Sequence, residues 1–133
     1  METIINMFKN LDAAIVATDA DYKVIYQNEK SRKVFKLAFG NGDYMGRSIH
    51  ELHKEETTEK IKTHYQEYLE KKRNLYHYVI DKPDGKVTIV NSPFYTDDGE
   101  FAGVVEFIFD SSLAWIVTSC RKICATATIF LPN

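Results

Sequence analysis

The sequence predicts an α+β domain built on one antiparallel sheet with its helices gathered on one face. Three observations predict it. Near the start, an apolar run at 13–18 and a β-prone run at 23–27 flank the turn Asp19-Ala20-Asp21. A Glu/Lys-rich stretch at 54–73 carries an apolar stripe at helical spacing. Three β-prone runs joined by Lys82-Pro83-Asp84-Gly85 and Asp97-Asp98-Gly99 close the domain, and Asp-Gly between such runs is a strong hairpin signal. Strand blocks separated by helices fit one sheet covered on one side, which leaves a pocket between the layers.

Each element follows from its residues. Ile4, Ile5, Phe8 and Leu11 repeat at i, i+3/i+4 and predict an amphipathic helix, with Thr3 as its cap. The wholly apolar 13–18 is too short for a stable helix and reads as a strand buried on both faces. Asx side chains bond their own backbone, so 19–21 turns the chain into a partner strand at 23–27. Asn28 is an N-cap for a helix to about Phe35. Glycines at 40, 42 and 46 mark a loop, followed by a helical turn at 47–52. The long helix within 54–73 has the stripe Ile61, Tyr65, Tyr68 and Leu69. Strands follow at 76–81, 86–95 and 101–110, and Pro93 places a bulge or an edge at the end of the second.

The chain has 133 residues, the size of one domain, and folding buries about two thirds of its surface without disulfide or metal staples. Hydrophobic residues at 44% against 27% charged describe a globular chain rather than a disordered one. The net charge of −2 supplies no basic surplus, so nucleic acid is not an expected partner. No signal peptide, no Cys framework and no run of 18 apolar residues is present, so a cytoplasmic protein with no membrane span is expected.

Charge and composition divide the chain into 1–11, an N-terminal amphipathic helix, 12–110, the domain, and 111–133, an apolar appendage. The appendage contains Arg121 and Lys122 and no acid, while 1–110 carries a net charge of −4. Leu113, Ile116, Val117, Cys120, Cys124, Ala127 and Leu131 recur at helical spacing, yet 125–130 is β-prone. The readings open for it are a helix, a dimer element, a segment docked on the sheet or an artefact such as a shifted reading frame. Its two cysteines are expected to be reduced and packed.

Over 11–110 the sequence resembles a PAS domain. The run from Ile15 through Asp19 to Asn28 is similar to that family's opening strand–turn–strand. Gly46-Arg47-Ser48-Ile49 resembles its G-x-S-hydrophobic entry to a pocket-lining helix, and 93–110 resembles its closing hairpin. The resemblance implies a five-stranded sheet in the order 2-1-5-4-3 and a sensory or interaction role in a signalling protein. It also implies an N-terminal helix that covers the outer sheet face and builds dimers, a task that suits Ile4, Ile5, Phe8 and Leu11. Intramolecular packing of that stripe is the other reading.

Several ligand chemistries can be weighed against the residues. The family's flavin photosensors carry a reactive Cys where this chain has Ile49, so covalent flavin chemistry is excluded. The His of its haem-binding oxygen sensors falls at Ile61; His64, one turn on, would ligate iron only after a register shift, so haem is not expected. His50 and His53 share a face without a clear third ligand, so no metal is expected. Glu106 is expected to point outward, as glutamates mostly do. The candidate ligand-binding residues are Ile61, His64, Tyr65 and Tyr68 of the long helix and Ile89, Phe94, Phe107 and Phe109 of the last strands. Filling of the core by these same side chains is the alternative.

No nucleophile elbow, phosphate loop or zincin motif is present, and no catalytic residue is assigned. The expected function is a sensory module that binds a small non-covalent ligand, forms a homodimer, or both, and regulates an effector domain or partner protein. The alternative is a ligand-free homodimerisation or protein-interaction module. A small enzyme with His50 or His64 as general base is the third reading.

Overall fold

The computed structural model describes residues 2–110. The 113–131 stripe and both cysteines therefore lie outside the described residues. The elements are α1 (Glu2–Lys9), β1 (Ala14–Asp19), β2 (Val24–Gln27), α2 (Glu29–Phe39), a 3-10 turn (Ile49–Leu52), α3 (Glu55–Leu69), β3 (Tyr76–Lys82), β4 (Gly85–Tyr95) and β5 (Phe101–Asp110). The five strands form one sheet in the order β2-β1-β5-β4-β3, and every neighbouring pair is antiparallel. The predicted fold class and strand order both hold.

Local chemistry sets the turns. Asp19 Oδ1 accepts the Asp21 and Lys23 amides at 2.9 and 3.0 Å, which closes the first hairpin as an Asx turn. Tyr22 in that turn has φ +68° and sends its ring to Tyr65, with centroids 4.5 Å apart. The β3–β4 hairpin leaves only Pro83 and Asp84 outside the ladder, because Lys82 pairs with Gly85. The Pro93 end of β4 is bulged between Phe94 and Tyr95, as its missing N–H predicts.

Asn28 ties three elements together. Its Oδ1 accepts the Ser31 amide as the α2 N-cap and the Ile15 amide of β1, both at 3.0 Å. Its Nδ2 donates to Ala13 O at 2.7 Å and to Phe8 O at 3.1 Å, which fixes the end of α1. Gln27 does the same for the glycine loop, accepting the Tyr44 amide at 2.8 Å and donating to Gly42 O at 3.2 Å.

The helices divide the core in two. Phe35 of α2 packs with Val16, Val24 and Tyr44, while Tyr65 and Tyr68 of α3 pack with Val104 of β5. β1 is buried on both faces as predicted, with Val16 and Thr18 toward the helices and Ile15 and Ala17 toward the outer face. Leu69 departs from the predicted stripe: it ends α3 with its side chain 55% exposed. α1 buries none of its residues; Ile4, Ile5, Met7 and Phe8 all stand exposed, as does Leu11 beyond it.

Candidate functional site

A cavity of about 70 Å³ lies between the inner face of the sheet and the helices. That is room for a few waters or one small organic group. Its floor is Thr18 of β1, Tyr78 of β3, Asn91 of β4 and Val104 and Glu106 of β5; its roof includes Ile61, His64 and Tyr65 of α3 and Ile49 and His53 of the 3-10 turn.

Glu106 was expected to point outward, and the structure corrects this. Residues 104, 106 and 108 of β5 face the helices, so 105, 107 and 109 face away. Glu106 pairs with Asn91 across the ladder, both side chains are directed into the cavity, and Asn91 hydrogen-bonds the carboxyl. Burial pushes the Glu106 carboxyl up to about 7, and the Asn91 bond only partly opposes this.

The polar groups around it are fixed. Tyr68, fully buried, donates its hydroxyl to Asn91, with the backbone oxygen 3.0 Å away and Oδ1 closer still. Thr18 Oγ1 and the Tyr65 hydroxyl share a short hydrogen bond. Desolvation raises the phenols of Tyr65, Tyr68 and Tyr78 well above their ordinary value, so each stays protonated. His64 stacks on Tyr76 with centroids 3.5 Å apart, and desolvation lowers its imidazolium tendency. His53 Nδ1 lies 2.8 Å from Ile49 O.

The predicted ligand residues separate into two groups. Ile61, His64 and Tyr65 line the cavity, and Tyr68 stands behind it as the anchor of Asn91. Ile89 is on the cavity side of the sheet, opposite Tyr78 and Ile108, but does not line the cavity. Phe94, Phe107 and Phe109 belong to the other face. Phe107 lines an apolar groove there with Phe8, Ile15, Ala17, Tyr26 and Val105, Phe94 lays its ring against Gly103, and Phe109 is 40% exposed. Aromatic character groups those three residues, whereas strand alternation sets the 107 and 109 side chains opposite to Glu106. The residues missed were Thr18, Tyr78, Asn91 and Glu106. Their signal was a polar side chain at alternate positions of otherwise apolar strands.

The two histidines read as a weak metal pair are parted. His50 packs 4.3 Å from the Tyr22 ring with neither ring nitrogen hydrogen-bonded, whereas His53 faces the cavity. Among the described residues, no three His, Cys, Asp or Glu side chains gather as a metal site would need.

The sequence matches the family profile described as PAS domain over residues 4–112. No curated protein matches it. Among solved structures, a C-terminal domain from Streptococcus mutans is similar with a TM-score of 0.66 at 19% identity, covering 82% of this chain and 83% of that one. The PAS domain of a protein from Colwellia psychrerythraea superposes with a TM-score of 0.64 at 20% identity, over 84% of this chain and 96% of that one. A sensory box sensor histidine kinase from Vibrio cholerae gives 0.59 at 16% identity, over 84% and 91%. At these identities the likeness is one of fold.

Proposed function

The chain belongs to the PAS domain family, and from that premise we propose that it is the sensory module of a signal-transduction protein, biased by a small non-covalent ligand in the cavity over β4 and β5. PAS domains are non-catalytic sensory modules, so the reading assigns no reaction. The observation that carries it is the wall of that cavity: a carboxyl, a carboxamide and two hydroxyl-bearing aromatic rings converge there inside apolar surroundings. A core that serves only packing gains nothing from a buried carboxyl, which costs free energy unless a partner meets it. In this reading the effector is a further domain or a partner protein in the cytoplasm; one structure of similar fold is that of a sensory box sensor histidine kinase. β5 carries Glu106 at its middle and ends at Asp110, so a ligand at Glu106 acts on the strand that leads toward 111–133. A ligand shifts the domain only as far as it prefers one of two states.

The test is a UV–visible spectrum and native mass spectrometry of one purified sample, followed by thermal-shift titration with small metabolites. Extra bound mass without a visible band, or a specific rise in melting temperature, supports the reading. A bare subunit mass with no stabilising compound overturns it.

A second reading has its own observation. α1 presents Ile4 and Met7 at 57% and 64% exposure with no cover from the other described residues, as a helix that pairs with a second copy would. Homodimerisation through Ile4, Ile5, Phe8 and Leu11 predicts that Ile5→Asp or Phe8→Asp gives monomers in light scattering. A dimer that persists in both variants removes α1 from the interface.

A further inference from the structure

We propose that the cavity receives a small organic cation, an alkylammonium or guanidinium group, whose charge is met by the Glu106 carboxylate. The inference rests on the reading of this cavity as the ligand site and names the chemical class it takes.

The charge inventory of the wall carries it. Among the described residues, Glu106 is the only Asp, Glu, Lys or Arg that lines the cavity. An anionic ligand would meet that carboxyl and find no guanidinium or ammonium to offset its charge. An apolar ligand would seal the carboxyl away from water with only the Asn91 bond to satisfy it. A cation supplies the missing partner. The phenol rings of Tyr65 and Tyr78 line the same cavity close enough to Glu106 to feel its charge, and aromatic walls beside a carboxylate are the usual surroundings of a bound organic cation. The Thr18–Tyr65 hydroxyl pair adds oxygen lone pairs that can accept from N–H donors. A cavity of about 70 Å³ limits the occupant to one small head group.

Protons are linked to the event. Empty, the cavity holds Glu106 about half protonated near neutral pH. A cation takes the carboxylate form, so the proton leaves as the ligand enters. The other titratable groups facing the cavity are His53 from the 3-10 turn, His64 and Tyr65 from α3 and Tyr78 from β3. The phenols do not titrate in this range, and His64 is held toward its neutral form. Affinity for a cation is therefore expected to rise about tenfold from pH 6 to pH 8.

The test is a protein-observed NMR titration with tetramethylammonium and methylguanidinium, with tert-butanol as the neutral probe of similar size and acetate as the anion. The expected result is that at least one cation shifts the amides of 89–92 and 104–107, at least tenfold more tightly than tert-butanol or acetate. Glu106→Gln should lose at least tenfold of that affinity and its pH dependence, while Glu106→Asp retains part of both. If the Gln variant does not fold, the pH dependence of the unaltered protein decides. Equal or tighter binding of tert-butanol or acetate overturns the charge class and leaves the cavity a ligand site. Binding of no cation overturns the inference, and bound mass in the native spectrum then separates its failure from that of the sensory reading.

Discussion

Asn91 and Glu106 stand opposite each other in the β4–β5 ladder, and both turn their polar ends toward the helices. Asn91 is held from the other side by the Tyr68 hydroxyl, so α3, β4 and β5 are joined through one carboxamide. This relay occupies a place where an aliphatic pair would pack with less desolvation.

The Tyr68 hydroxyl should therefore matter beyond its ring. Tyr68→Phe keeps the aromatic packing and leaves the Asn91 Oδ1 without its hydroxyl donor. The expected loss is about 1–3 kcal/mol of unfolding free energy in urea titrations. A loss no larger than a few tenths would mean that water replaces the hydroxyl and that the relay is loose.

Glu106 should impose a pH dependence of definite sign. Its carboxyl is raised from the ordinary 4.5 to about 7 in the folded chain, so the folded state holds the proton more tightly than the unfolded state. Stability then falls as pH rises from 4.5 to 7, because the folded state must ionise a buried group or keep a proton that the unfolded chain releases. The difference is up to about 3 kcal/mol. Glu106→Gln should remove that slope, so the variant gains on the parent between pH 5 and pH 8. Parallel stability curves for the two proteins would show that the carboxyl is well solvated.

Much of this was legible in the sequence, and the exceptions share a cause. Turn chemistry is local, so Asp19, Asn28 and the Asp-Gly turns marked the elements correctly. The long helix and its Ile61–Tyr65–Tyr68 stripe were legible for the same reason. Which face of β5 points inward is not local. It depends on pairing with β1 and β4, and a shift of one residue exchanges Glu106 for Phe107. The aromatic residues suggested the wrong face because the outer side of this sheet is also apolar, with Ile15, Ala17, Val105 and Phe107 beneath Phe8. Hydrophobicity alone cannot orient a strand that is apolar on both faces.

Asn28 should be among the costliest polar side chains to remove. It is 1% exposed, and its four bonds join α1, β1 and α2. Asn28→Ala loses the N-cap and leaves the Ile15 amide and the Ala13 carbonyl unpaired, for about 2–4 kcal/mol. Hydrogen exchange should quicken at the Ile15 and Ser31 amides together. Acceleration at Ser31 alone would mean that Asn28 acts only as a cap.

Gly103 sets a steric limit at the centre of the sheet. It has φ +156°, and a Cβ there would stand 2.0 Å from Thr18 O and 2.8 Å from the Phe94 ring. The ring can turn, but the carbonyl is part of the backbone facing β5 and cannot move without opening the β1–β5 ladder. Gly103→Ala should therefore destabilise by about 3 kcal/mol or more, beyond what the backbone conformation alone would cost. Phe94→Ala on its own should be milder, since it opens space over Gly103 without touching the ladder. In the double variant, relief of the ring contact should recover little of the loss, because the carbonyl contact remains. Full recovery in the double variant, measured by urea unfolding, would place the clash on the ring and show that the β1–β5 ladder yields to a methyl group.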